Sequence, residues 1–165
     1  MVFGMSLATY TLVHVIISLV GIASGLVVLI GLFGGKPLKT WTAIFLATTV
    51  ATSVTGFGFP FDHLLPSHKV GIISLIVLAV AIVARYVFHL AGAWRRSYAV
   101  GAVIALYLNV FVLIVQSFQK VPALKAMAPT QTEPPFLIAQ SAVLVVFVLL
   151  GIFSAKKFAN QSRMA

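Results

Sequence analysis

Cysteine is absent from this chain of 165 residues. Its absence excludes disulfides, thiolate metal sites and covalent haem attachment through a cysteine pair. Acids are nearly absent too: Asp62 and Glu133 stand against eleven lysines and arginines, a net charge of +9. Two isolated carboxylates supply neither a carboxylate dyad nor the orienting acid of a nucleophile–base pair. Charged residues make up 8% of the chain, where soluble domains carry about a quarter. Alternating ten-residue patterns of a membrane β-barrel are missing, as are repeats and low-complexity tracts. No basic stripe with interleaved aromatics lies outside the apolar runs, which argues against nucleic-acid binding.

Apolar residues dominate instead. They reach 61%, with a mean hydropathy of +1.14. A soluble fold this small has too little interior to hide that much apolar surface. Five apolar runs stand out: about Leu7 to Phe33, Trp41 to Phe59, Val70 to Leu90, Tyr98 to Phe118 and Phe136 to Phe153. Each approaches the ~20 residues that cross a ~30 Å hydrocarbon core. Lipid satisfies no backbone groups, so such runs fold as helices. All seven prolines fall at run ends or between runs, where a missing N–H does least damage. The expectation is an all-α bundle of five transmembrane helices forming a single domain over residues 1–165. Only the connection from Lys120 to Pro135 is sizeable, with room for one interfacial turn. The first run is longer than a signal-peptide core of about 7–15 residues and reads as a retained span.

Loop charge predicts orientation. Lys36, Lys39, Arg95, Arg96, Lys156, Lys157 and Arg163 fall on one side; Lys69, Lys120, Lys125 and both acids fall on the other. The positive-inside rule then places the N-terminus outside and the C-terminus in the cytoplasm. His14, Asp62, His63, His68, Gln116 and Glu133 gather towards the outer side, leaving His89 and Arg85 near the inner one.

Few polar residues interrupt the runs. His14, Ser18, Gly21 and Gly25 lie within about 60° of one another on a helix. Gly21 and Gly25 form G-x-x-x-G, so this stripe reads as a packing seam or as a histidine aimed into a site between helices. Thr48, Thr49, Thr52, Ser53 and Thr55 give the second span a hydroxyl-rich face, suited to interhelical bonding or to a substrate path. Its end, G-F-G-F-P-F, reads as a helix exit with aromatic anchors. Ala102, Ala105, Asn109, Gln116 and Lys120 share a stripe of the fourth span, and Gln140 is positioned to meet Gln116. Arg85 and His89 are spaced i, i+4, with Arg85 expected to snorkel to the interface. Trp94, Arg95 and Arg96 read as a headgroup anchor.

These residues leave three functional readings. The first is a non-enzymatic accessory or interaction protein, partnered with the lipid bilayer and with a membrane subunit or further copies of itself. The second is a haem b or quinone-linked electron-transfer subunit. His14 and His68 would be the haem ligands, with Gly21 and Gly71 making room for the ring; His14, Asp62, His63 and His68 offer a metal alternative. The third is a small oligomeric transporter, its path lined by the second-span hydroxyls, Asn109 and Gln116.

Several stretches carry a resemblance: G-F-P-F-D-H-L-L-P-S-H at Gly58–His68, A-R-Y-V-F-H-L-A-G-A-W-R at Ala84–Arg95, L-Y-L-N-V-F-V at Leu106–Val112, and the loop Gln119–Phe136. In these the chain resembles an uncharacterised family of small multi-span bacterial inner-membrane proteins. The resemblance implies a plasma-membrane location and brings no activity with it. The first span with its histidine also loosely resembles other multi-span families, which often open the second span with His-Arg. Here Lys39 and Thr40 stand in that place, which weakens a shared histidine site.

Overall fold

The structure is a computed structural model that describes residues 2, 4–61 and 66–160. Asp62, His63 and Arg163 lie outside the described residues. Among the described residues six α-helices follow one another: α1 (Leu7–Phe33), α2 (Lys39–Gly56), α3 (Pro66–Ile82), α4 (Trp94–Lys120), α5 (Pro122–Met127) and α6 (Pro134–Asn160), with a π-helical turn at Val83–Val87 continuing α3. No β-strand occurs among the described residues. Among the described residues four helical segments are long and apolar enough to cross a membrane: Leu7–Phe33, Pro66–Val87, Trp94–Lys120 and Pro134–Asn160. The remaining long helix, α2, has 18 residues and is not among them; its threonines and serine dilute its apolar content.

Local chemistry sets the helix ends. The Ser6 hydroxyl caps α1 by accepting from the Thr9 N–H at 3.1 Å. Gly35, at φ 64°, reverses the chain after α1, a conformation that costs glycine little. Pro66 and Pro134 open α3 and α6, and Pro122 opens α5, the first-turn position where the missing N–H has no helical partner anyway. The sequence expectation ran the third span to Leu90 and began the fourth at Tyr98. The helix instead stops at Val87, because His89, Leu90 and Gly92 all take positive φ (48°, 60° and 51°). Helix resumes at Trp94.

α4 is the central element, packing against α1, α3 and α6, while α2 packs against α1 and α3. Small residues on α4 make this possible: Ala99, Ala102 and Ala105 are all buried, letting neighbouring backbones approach closely. The outward surface is the reverse of a soluble protein's. Leu12, Ile30, Ile76 and Ile138 are exposed by 60% or more, whereas Thr42, Thr49, Ser53, Ser74 and Asn109 are buried. Apolar outside and hydroxylated inside is the arrangement a lipid solvent selects.

Candidate functional site

Several of the buried polar groups are bonded along α2, which links to α1, α3 and α4 in turn. Thr42 of α2 shares a hydrogen bond of 2.9 Å with the Tyr98 hydroxyl of α4. Two turns on, the Asn109 side-chain amide of α4 donates to Thr49 Oγ1 at 3.3 Å. Ser53 Oγ donates to Ser74 Oγ of α3 at 3.1 Å. At the far end, His14 Nδ1 of α1 and Thr55 Oγ1 share a bond of 2.8 Å, and the Tyr10 hydroxyl donates to the Thr55 carbonyl at 2.7 Å. From Thr42 to Thr55 this is about 20 Å of helix. Thr49, Ser53 and Thr55, which the sequence offered for either packing or a path, therefore bind three neighbouring helices. Thr48 turns back to its own Ile44 carbonyl at 2.7 Å, and Thr52 Oγ1 is buried without a partner among the described residues.

The seam on α1 faces α2. A Cβ on Gly21 would stand 3.3 Å from the hydroxyls of Thr48 and Thr49 and 3.4 Å from the Asn109 amide nitrogen. A Cβ on Gly25 would stand 2.6 Å from Leu106 Cδ1 and 2.9 Å from Phe45 Cε2. The glycines thus admit side chains of α2 and α4. The stripe expected on α4 is cut in two: Ala102, Ala105 and Asn109 are buried, while Gln116 and Lys120 are exposed. Gln116 does not meet Gln140. The Gln140 amide donates to the Phe111 carbonyl at 3.2 Å, and its Oε1 is buried and unpaired among the described residues.

His68 is 4% exposed. Its ring packs on Phe57 at 5.3 Å and on Phe61 at 4.2 Å between centroids. His14 meets the edge of Phe59 at 5.1 Å. The space beside Gly71 is filled by Phe57, 3.2 Å from where a Cβ would stand, and the space beside Gly21 is filled by Thr48, Thr49 and Asn109. A haem needs an open slot at matching depth between its ligands. The packed rings and hydroxyls leave none beside either glycine, so the residues present do not fit a haem held by His14 and His68. Among the described residues no three His, Asp or Glu side chains converge on a metal position.

The basic end is held by residues that the sequence assigned to the interface. Arg85 does not snorkel. It is 8% exposed, its guanidinium carbon lies 5.3 Å from the Tyr98 ring centroid, and one terminal nitrogen is buried without an acceptor among the described residues. Nor does it pair with His89, which sits beyond the helix in the left-handed turn. Arg95 is a tether rather than a lipid anchor: its Nε donates to the Phe158 carbonyl near the end of α6, and a terminal nitrogen donates to the Gly35 carbonyl at 3.4 Å. The end of α1, the start of α4 and the end of α6 are thereby brought together, and the basic residues flanking them share one end of the bundle. Trp94 stacks flat on Phe88 at 4.1 Å.

Glu133 serves the opposite loop. It accepts from the Thr130 hydroxyl at 2.8 Å and from the backbone N–H groups of Thr130 and Thr132 at 3.2 and 3.1 Å. Desolvation opposes ionisation, but these bonds together outweigh it and hold the carboxyl below its ordinary value. Gln131, at φ 62°, fastens the same loop to α4 through the Val115 carbonyl at 2.8 Å. Tyr98, Thr42, Tyr10, Ser74 and Gln131 were not anticipated from sequence. The signal available for Tyr98 was a phenol one turn from two arginines. Ser74 and Gln131 carried none.

Among the described residues, the bonds along α2 join helices to one another. No family model, curated protein or solved structure matches the chain.

Proposed function

We propose that this chain is a five-span plasma-membrane protein of bacterial type that works without catalysis, as an accessory subunit recognising another membrane protein through its lipid-facing surface. The carrying observation is the lopsided packing of α6. Only 11% of its apolar window is buried, against 28–44% in the other three long apolar helices, so it leans on α4 and presents the rest of its surface outward. Thr42, Thr49, Ser53, Thr55 and Asn109 are engaged in bonds between helices, which favours this outer surface as the place where specificity resides.

α2 is the fifth span in this reading. Its 18 residues give about 27 Å of helix, and its side chains bond α1, α3 and α4 along most of that length. The shared basic end is cytoplasmic by the positive-inside rule, which puts His14 and Glu133 outside. A C-terminal reporter tests the orientation: activity of a periplasm-specific reporter there would refute it. The accessory role is tested by a photocrosslinking residue at Val145 or Ile138, exposed by 58% and 66%. A discrete protein adduct of constant mass supports the role. Adducts to lipid alone, at both positions and at native expression, would sink it.

A further inference from the structure

Between α4 and α6 lies an apolar groove of about 610 Å³, within the range of ligand sites. One wall follows Val100, Ile104 and Leu108 of α4; the other follows Leu144, Val148 and Ile152 of α6. Each wall advances by four residues per step, so the two keep facing one another as the helices run antiparallel. Tyr107 and Phe147, with ring centroids 5.7 Å apart, join the walls at the deep end. At the other end stand Arg96 and Lys156, one from each helix. The twelve helical steps from Arg96 to Leu108 span about 18 Å, a little over half of a ~30 Å hydrocarbon core. The groove is thus one leaflet deep, apolar along its length and doubly cationic at its mouth.

We infer that this groove is a binding site for one anionic membrane lipid, an acyl chain lying between α4 and α6 and the phosphate held by Arg96 and Lys156. The charge pattern selects this occupant. An apolar chain alone gives the two cations nothing. A second copy is disfavoured, because copies insert with the same orientation and a symmetric contact repeats the same surface patch. Four cations would then meet at one depth. The one acid among the described residues, Glu133, is engaged with Thr130 and Thr132 before the opposite end of α6. The neighbouring Arg95 turns inward to the carbonyls of Phe158 and Gly35, leaving Arg96 to face the groove. This inference needs only a membrane location and stands whether or not α6 also meets a protein.

The full chain is reconstituted in phosphatidylcholine with spin-labelled phosphatidylglycerol or spin-labelled phosphatidylcholine as the probe, and the motionally restricted fraction is compared. The wild type is expected to prefer phosphatidylglycerol. Arg96→Gln and Lys156→Gln each lower that preference by about fivefold, and Lys157→Gln, outside the groove, leaves it in place. Val148→Trp fills the groove from an exposed wall position and is expected to remove the restricted acyl-chain signal while both cations remain; Val100→Trp does so from the facing wall. Circular dichroism and monodisperse elution establish that each variant is folded. Equal restriction of the two lipids overturns the inference. So does a loss in Lys157→Gln equal to that in Lys156→Gln, which marks general surface attraction. A restricted signal that survives both tryptophans, or a disulfide between copies through Ile152→Cys, overturns it as well.

Discussion

Asn109 and Thr49 meet side chain to side chain at 3.3 Å across α4 and α2, at the level where Gly21 of α1 leaves its side-chain space open to both. Three helices are therefore registered by one amide, one hydroxyl and one missing methyl group. Interhelical bonds of this kind contribute about 0.6 kcal/mol on average in a membrane, because the separated helices also find partners. A double-mutant cycle with Asn109→Leu and Thr49→Val, read by SDS-titration unfolding, is expected to return a coupling of that order. A coupling indistinguishable from zero would show that the pair does not register α2 on α4.

Gly25 makes a sharper demand. Its Cβ would lie 2.6 Å from Leu106 Cδ1, which has some freedom to swing, and 2.9 Å from Phe45 Cε2, part of a rigid ring that is 0% exposed. Gly25→Ala is expected to destabilise the bundle by about 1–3 kcal/mol through overpacking, more than the ~1 kcal/mol that alanine returns in helix propensity. Gly151 of α6 is the matched control, since its Cβ would meet Val103 Cγ1 at an ordinary 3.6 Å. Gly151→Ala should leave the unfolding midpoint unchanged or raise it. Equal losses at both positions would mean that the α1 seam is not the tight one.

The contrast between the two glycines shows what the sequence made legible. Helical spacing alone put His14, Ser18, Gly21 and Gly25 on one face, and the apolar runs alone marked where helices lie. Spacing reports which residues share a face, not which neighbour covers it. Gln116 and Asn109 sit on one stripe, yet Asn109 is covered beside Thr49 of α2 while Gln116 is exposed. Arg85 was sent to the interface because lipid repels a charge, but the π-turn at Val83–Val87 rotates it under Tyr98, and a turn of that kind leaves no periodic signature. The groove between α4 and α6 was equally invisible, since its two walls are thirty or more residues apart and ordinary in composition.

Arg85 carries a prediction because two effects oppose each other there. Its guanidinium gains roughly 0.5–2 kcal/mol from the Tyr98 ring. Against this stands a desolvated cation with an unpaired terminal nitrogen and, among the described residues, no acid at its end of the bundle, a penalty of several kcal/mol. The penalty is the larger, so Arg85→Met is expected to leave stability unchanged or raise it in SDS titration. Tyr98→Phe should do the opposite, lowering it by about 1–3 kcal/mol, because it strands the Thr42 hydroxyl in a site that is 1% exposed. Marked destabilisation by Arg85→Met would show that the cation has a partner beyond the rings of Tyr98 and Tyr86, 5.3 and 5.8 Å from it.

Glu133 supplies the pH dependence. Desolvation works against its charge, but hydrogen bonds from Thr130 and Thr132 prevail and depress its carboxyl. A carboxyl depressed by folding binds its proton less readily in the folded loop than in the unfolded chain. Its contribution is therefore complete above the ordinary glutamate value and is lost as the pH falls through the depressed one. The loss is local, because Glu133 organises the turn before α6 rather than the bundle core. Hydrogen exchange is the suitable readout: the Thr130 and Thr132 amides, which donate to this carboxylate, are expected to lose protection on acidification while amides in the middle of α4 keep theirs. Glu133→Gln keeps the shape but not the charge, and should show the unprotected loop already at neutral pH with no further change on acidification. If acid leaves the two threonine amides protected in the wild type, the carboxylate is not what orders this loop.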